Sequence, residues 1–91
     1  MMAIDLCPRL HPQVAGQTIG NEAVLVLADT GQVLVLNEVG GRIWELADGS
    51  RTIAEIARIL TDEYDVSEEQ ALRDVSEFVQ QLIDKQVLTV G

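Results

Sequence analysis

The chain holds a single cysteine, one tryptophan, one tyrosine and one phenylalanine, and only six lysines and arginines in 91 residues. Each scarcity excludes something. A lone thiol cannot close an internal disulfide, so this is not a disulfide-stapled secreted scaffold. Three aromatics within a 47% hydrophobic composition leave an aliphatic core. Six bases against fifteen acids give a net charge of −9, which repels phosphate backbones and anionic membrane surfaces. Neither nucleic acid nor a membrane is an expected partner. No apolar run approaches the ~18 residues of a membrane helix, and the N-terminus lacks a basic region followed by an apolar stretch. A soluble, cytoplasmic protein is the expectation.

Chemistry is equally sparse. The one histidine, His11, lies near Cys7 and Asp5 in an irregular opening segment. A structural zinc site needs four ligands with paired spacing, and this trio has neither. Gly40-Gly41 is too short for a phosphate-binding loop and falls inside a helical pattern. Most carboxylates sit at helix starts and on polar faces, where the helix dipole and solubility account for them. No catalytic residue, metal or cofactor is expected, and the chain does not read as an enzyme.

What is present centres on residues 32–49, QVLVLNEVGGRIWELADG. Val33-Leu34-Val35-Leu36 has strand composition. Val39, Ile43 and Leu46 then share one helical face with Trp44 beside it. Asn37 is placed to cap that helix, and Gly49 to close it in a left-handed conformation. Before it, Ala23–Ala28 is a second apolar strand, joined through Asp29-Thr30-Gly31 as a three-residue hairpin loop. That loop pairs Leu27 with Val33, Val26 with Leu34 and Leu25 with Val35. Leu25, Leu27, Val33 and Val35 would then form one face, and Val24, Val26, Leu34 and Leu36 the other. Both faces are apolar, whereas a solvated hairpin alternates apolar with polar, so part of this surface is left for a partner.

Residues 1–22 read as an N-terminal arm with at most one short strand near Val14–Ile19, and residues 23–91 as the domain proper. Thr52 and Glu55 form a capping box ahead of a helix with Ile53, Ile56, Ala57 and Leu60 on one face. Ser67 and Gln70 repeat the pattern before the longest helix, whose apolar face carries Ala71, Leu72, Val75, Phe78, Val79, Leu82 and Ile83. Trp44, Leu72, Val75 and Leu82 are expected inside. Asp74, Phe78, Gln81 and Lys85 form a stripe along the border of that face. The fold class is α+β: a small antiparallel hairpin or three-stranded sheet followed by three helices, arranged like a winged helix. The third helix carries Glu68, Glu69, Asp74, Glu77 and Asp84 against Arg73 and Lys85, so its field opposes DNA. An apolar strand edge beside an amphipathic helix can instead accept a peptide as an added strand. The alternative is a winged-helix adaptor between proteins, or a transcriptional regulator, unrelated to peptide modification. An unpaired edge also allows copies to pair as a homodimer.

The runs LNEVGGRIWELADG, RTIAEIARIL and EEQALRDVSEFVQQL resemble the PqqD family across residues 22–90. Leu36-Asn37, Trp44 before Asp48-Gly49, and Asp74-Val75 with Phe78 carry the likeness. The resemblance implies a non-catalytic chaperone that binds the leader of a ribosomally made precursor peptide. It would present that leader to a modifying enzyme, such as a radical-SAM protein, in pyrroloquinoline quinone biosynthesis or a related pathway. By the same resemblance the leader adds beside Gln32, Val33, Leu34, Val35 and Leu36 and lies against the stripe of Asp74, Phe78, Gln81 and Lys85. Two departures stand out. Quinone-pathway members usually show a Leu-Leu-x-Pro-Glu-like turn where this chain has Leu27-Ala28-Asp29-Thr30-Gly31, which favours service to another peptide. The family also often has Gly where this chain has Gln86.

Overall fold

Alternating apolar segments and three capped helices assemble into two small sheets packed against a helical layer. The structure is a computed structural model that describes residues 5–90, so the first four residues of the expected arm and Gly91 lie outside it. Strands β1 (Pro8–Leu10), β2 (Val14–Ile19), β3 (Glu22–Leu27) and β4 (Val33–Leu36) come first. Helices α1 (Glu38–Leu46), α2 (Ile53–Glu63) and α3 (Glu68–Asp84) follow, and β5 (Leu88–Val90) ends the chain. β2, β3 and β4 form an antiparallel sheet in that order, and β1 pairs antiparallel with β5. The α+β class therefore holds. The opening segment carries two strands rather than one. The sequence conceals β1 because its partner, β5, lies at the far end of the chain.

The β3–β4 register differs from the expected one by a residue. Leu25 opposes Leu34, Val26 opposes Val33, Val24 opposes Val35 and Ala23 opposes Leu36. The loop is longer than three residues: Leu27 N–H donates to Gln32 O (2.9 Å) and Gly31 N–H to Leu27 O (2.7 Å), with Gly31 at φ +72°. A one-residue slip exchanges the faces of a strand. Ala23, Leu25, Leu27 and Leu36 are accordingly buried with Leu34 half-buried beside them, while Val24, Val26, Val33 and Val35 point outward. The leucines enter the core and the valines leave it.

Helix α1 starts as its sequence dictates, with Asn37 Oδ1 accepting the Gly40 N–H at 2.8 Å. It closes differently. Ala47 N–H bonds back to the Ile43 and Trp44 carbonyls, and Gly49, at φ +87°, turns the chain beyond the cap and donates to Pro8 O. Ile43 and Leu46 are buried, but Val39 is exposed, so the inward face runs instead through Gly40 and Gly41. A Cβ at Gly41 would lie 3.4 Å from Ala23 Cβ, so the missing side chain lets α1 lie close on β3. Trp44 is half-buried rather than interior, and its buried indole N–H has no protein acceptor. Leu72 is likewise half-buried, whereas Val75 and Leu82 are buried as expected.

The α2 capping box is complete, with Glu55 N–H donating to Thr52 Oγ1 and Thr52 N–H to Glu55 Oε1. At α3 only half of the box forms. Ser67 Oγ accepts the Gln70 N–H, but the Gln70 amide turns to Asp74 Oδ1 instead. Between α1 and α2, Arg42 grips Glu63 with two parallel bonds of 2.8 and 2.7 Å. This hydrogen bonding holds the Glu63 carboxyl below its ordinary value of 4.5. A lowered folded pKa means that the pair's stabilisation is complete above that value and disappears as pH falls through the folded one. Both side chains are about a third exposed, so the contribution is about 0.2–1 kcal/mol. Glu63→Gln should lower urea-unfolding stability by that amount at pH 7 and by progressively less as pH falls below 4.5.

Helix α3 ends in a Schellman turn built on a side chain instead of glycine. Gln86 N–H bonds Ile83 O (2.9 Å), and Val87 N–H bonds Leu82 O (2.8 Å), with Gln86 itself at φ +62°. A residue with a Cβ is strained there by roughly 1–2 kcal/mol. Glycine relieves that strain but gives the unfolded chain more freedom. Gln86→Gly should therefore raise stability by about 0.5–1 kcal/mol, seen as a higher urea midpoint at unchanged slope.

Candidate functional site

The strongest candidate is the free edge of β4. β4 pairs with β3 on one side, and among the described residues nothing pairs with the other. The bond from Leu27 N–H to Gln32 O sets the phase of the ladder. Pairs alternate in antiparallel sheets, so Leu34 and Leu36 turn their backbone groups toward β3. Val33 and Val35 turn theirs outward. The edge thus offers two donors and two acceptors over one short strand, with no proline or lysine to block pairing.

Side chains on this strand divide by face. Val33 and Val35 are 56% and 61% exposed on the outer face, while Leu34 is half-buried and Leu36 buried beneath it. Gln32 lies just before the strand, its N–H donating to Thr30 Oγ1. Beyond the strand, α1 meets α3: a Cβ at Gly40 would lie 3.0 Å from the Phe78 ring, so glycine there lets the ring seat against the start of α1. Phe78 is half-buried and marks one end of the α3 border. Gln81 and Lys85 are exposed and continue it toward the helix terminus, where Lys85 is the C-cap. Asp74 lies one turn before Phe78, exposed, with its carboxylate held by Gln70.

The structure therefore brings Phe78 to the start of the helix that follows β4 and leaves Asp74 exposed one turn earlier on α3. Two participants carried no motif signal. Gly40 reads in the sequence only as part of a short glycine pair inside a helical pattern, although glycine between apolar positions can mark close packing. Gln13 gave no signal at all. Its side chain joins the β3–β4 loop to the end of α3, with Oε1 accepting the Asp29 N–H and Nε2 donating to Gln86 O.

A second concavity of about 140 Å³ lies on the face of α1 turned away from Gly40, lined by Glu22, Glu38, Arg42, Glu45 and Tyr64. Burial, then the neighbouring Glu38, raises the Tyr64 pKa. Its one cation, Arg42, is engaged by Glu63. Among the described residues no three His, Cys, Asp or Glu side chains gather as a metal site, and no helix is long and apolar enough to cross a membrane.

The model of the family described as Coenzyme PQQ synthesis protein D (PqqD) matches residues 22–88. A search of curated proteins finds no match. Among solved structures, TbiB1 in complex with the TbiA(beta) leader peptide superposes with a TM-score of 0.82 at 31% identity, over 88% of this chain and 93% of that one. A lasso peptide synthetase B1 complexed with its leader peptide gives 0.83 at 25% identity, over 91% and 98%. The PqqD truncation of Methylobacterium extorquens PqqCD, a stand-alone recognition element for ribosomally synthesised and modified peptides, gives 0.72 at 27% identity, over 93% and 89%.

Proposed function

Because the chain belongs to the PqqD family, we propose that it is a recognition element for the leader of a ribosomally made precursor peptide. The open edge of β4 carries this reading. An incoming strand satisfies the outward N–H and C=O groups of Val33 and Val35. Alternate leader side chains then fall toward Phe78 and Leu34 on the inner side. The others extend the row of outward valines. Complexes of similar chains with leader peptides support the same reading.

The protein presents its leader and leaves the chemistry to a modifying enzyme, of the radical-SAM class or another, in the cytoplasm. The outer face of the sheet, where Val26, Val33 and Val35 are exposed, suits contact with that enzyme. The Leu27–Gly31 loop favours a peptide other than the quinone precursor. In the absence of leader the same edge supports pairing of two copies. The acidic surface disfavours a role as a DNA-binding regulator.

The deciding experiment is capture of small peptides from the native cell on the immobilised protein, read by mass spectrometry, then calorimetric titration with the captured leader. A saturable one-to-one complex that shifts the β4 and α3 amide resonances supports the reading. Capture of no peptide overturns it. Asp74 refines the site. Its exposed carboxylate favours a leader carrying Lys or Arg, and an exposed charge pair contributes about 0.2–1 kcal/mol. Asp74→Ala should thus weaken leader binding roughly two- to fivefold at low salt, with the difference fading at high salt.

A further inference from the structure

The cleft beside β4 is pinned at two places. At one end the Phe78 ring sits against Gly40, directly after the strand. At the other, Gln13 spans from the loop before the strand to the residue after α3. The two elements match in length. α3 rises roughly 12 Å from Phe78 to Gln86 at 1.5 Å per residue. β4 runs roughly 13 Å from Val33 to Asn37 at about 3.3 Å per residue. The segment before β4 is tied to the end of α3 through Gln13, and the helix after β4 meets α3 at Phe78.

Gln13 is unusual in how completely it is used. Its backbone N–H donates to His11 Nδ1 (3.2 Å) and its backbone carbonyl accepts from Ala28 N–H (3.0 Å). Its side-chain oxygen accepts from Asp29 N–H (3.1 Å), and its side-chain nitrogen donates to Gln86 O (3.0 Å). The bond from Ala28 continues the β2–β3 pairing, and the bond to His11 closes a local turn before β2. The two side-chain bonds do something else: they join the loop that feeds β4 to the end of α3. No other side-chain hydrogen bond between described residues joins these two elements.

We propose that Gln13 is the positioning residue of the cleft, fixing the start of β4 against the C-terminal end of α3 so that the strand edge is held ready for an added strand. Its effect on a peptide rests on the leader-binding reading; its effect on the cleft does not. An edge strand with a mobile loop must be ordered when a partner pairs with it, which weakens binding. The Gln13 bridge does this ordering beforehand. It takes the loop amide of Asp29 and the strained carbonyl of Gln86, two groups that otherwise face water.

The test uses the full chain, Gln13→Ala and Gln13→Glu. The glutamate keeps an acceptor for Asp29 but loses the donor to Gln86. Backbone amide exchange and ¹⁵N relaxation report the cleft without any peptide, and urea unfolding reports the fold. In Gln13→Ala, Asp29 and Leu34 should exchange about tenfold faster, with new motion across residues 28–34 and native α1 and α2 protection. Binding of a synthetic TbiA(beta) leader peptide, followed by amide shifts, should weaken about three- to tenfold. Gln13→Glu should restore the Asp29 protection without restoring affinity, because the bridge needs both arms. Unchanged exchange at Leu34 and unchanged relaxation of residues 28–34 in Gln13→Ala would overturn the proposal. Full recovery of affinity in Gln13→Glu would also overturn it, by showing that the loop arm alone suffices. If the wild type does not bind this peptide, the leader reading is what loses support, and the exchange measurement still decides for or against Gln13.

Discussion

Val35→Pro should abolish detectable leader binding, a loss of at least about a hundredfold, in a protein that still folds. The register makes this a sharp expectation. Val35 opposes Val24 in a pair whose backbone groups turn away from each other, so its N–H donates to nothing within the sheet. Proline on an edge strand with its nitrogen facing solvent is tolerated. Leu34 before it is already extended, as a residue preceding proline prefers. An incoming strand meets a different surface. One of its carbonyls finds no donor, at roughly 1–3 kcal/mol, and the pyrrolidine ring blocks close approach of the neighbouring backbone. Thr18→Pro is the matched control. Thr18 also turns its N–H outward, but on the free edge of β2, away from Phe78. Calorimetric titration of the captured leader into both variants, with circular dichroism to confirm folding, separates the two edges. Equal binding by wild type and Val35→Pro would place the leader elsewhere.

What could be read in advance follows the range of the interactions. The caps of all three helices depend on residues three apart, and Asn37, Thr52 and Ser67 each accept the amide that their spacing indicates. The composition of β3 and β4 and the apolar face of α3 are similarly local. The register was not. Asp29-Thr30-Gly31 is a sound hairpin loop by itself, but Gln13, more than a dozen residues upstream, takes the Ala28 and Asp29 amides. This widens the loop by one position and turns the valines outward. β1 stayed hidden for the same reason: a three-residue strand is specified by its partner β5, not by its own residues. The candidate site inherits this division. Its strand and its Phe78 were legible as pattern, whereas the choice of Val33 and Val35 as the outward pair depends on a tertiary contact.

Gly16 and Trp44 should show the strongest stability coupling in the molecule. Gly16 pairs with Leu25, so the position above its Cα faces the core. A Cβ there would overlap the Trp44 ring and approach Leu25 Cδ2 to 2.7 Å. No rotation of a new methyl avoids this, so either the indole or β2 must move. Overpacking of this kind costs about 1–3 kcal/mol, a large part of a domain stability of about 5–15 kcal/mol. Trp44→Ala is destabilising for the opposite reason. Removal of a fully buried large aromatic costs about 3–5 kcal/mol, but the half-buried ring and its unpartnered N–H bring the expected loss to about 2–3 kcal/mol. The two changes should not add. Once the indole is gone, the methyl of Gly16→Ala enters the space that the ring vacated and recovers some packing. The double variant should therefore be as stable as Trp44→Ala or slightly more so, giving a coupling energy of about 1–3 kcal/mol of favourable sign. Urea unfolding of the four proteins, followed by far-ultraviolet circular dichroism because the tryptophan is itself removed, measures the cycle. Simple additivity would show that Gly16 is tolerated by movement of β2 instead, and that Trp44 does not depend on that glycine for its place.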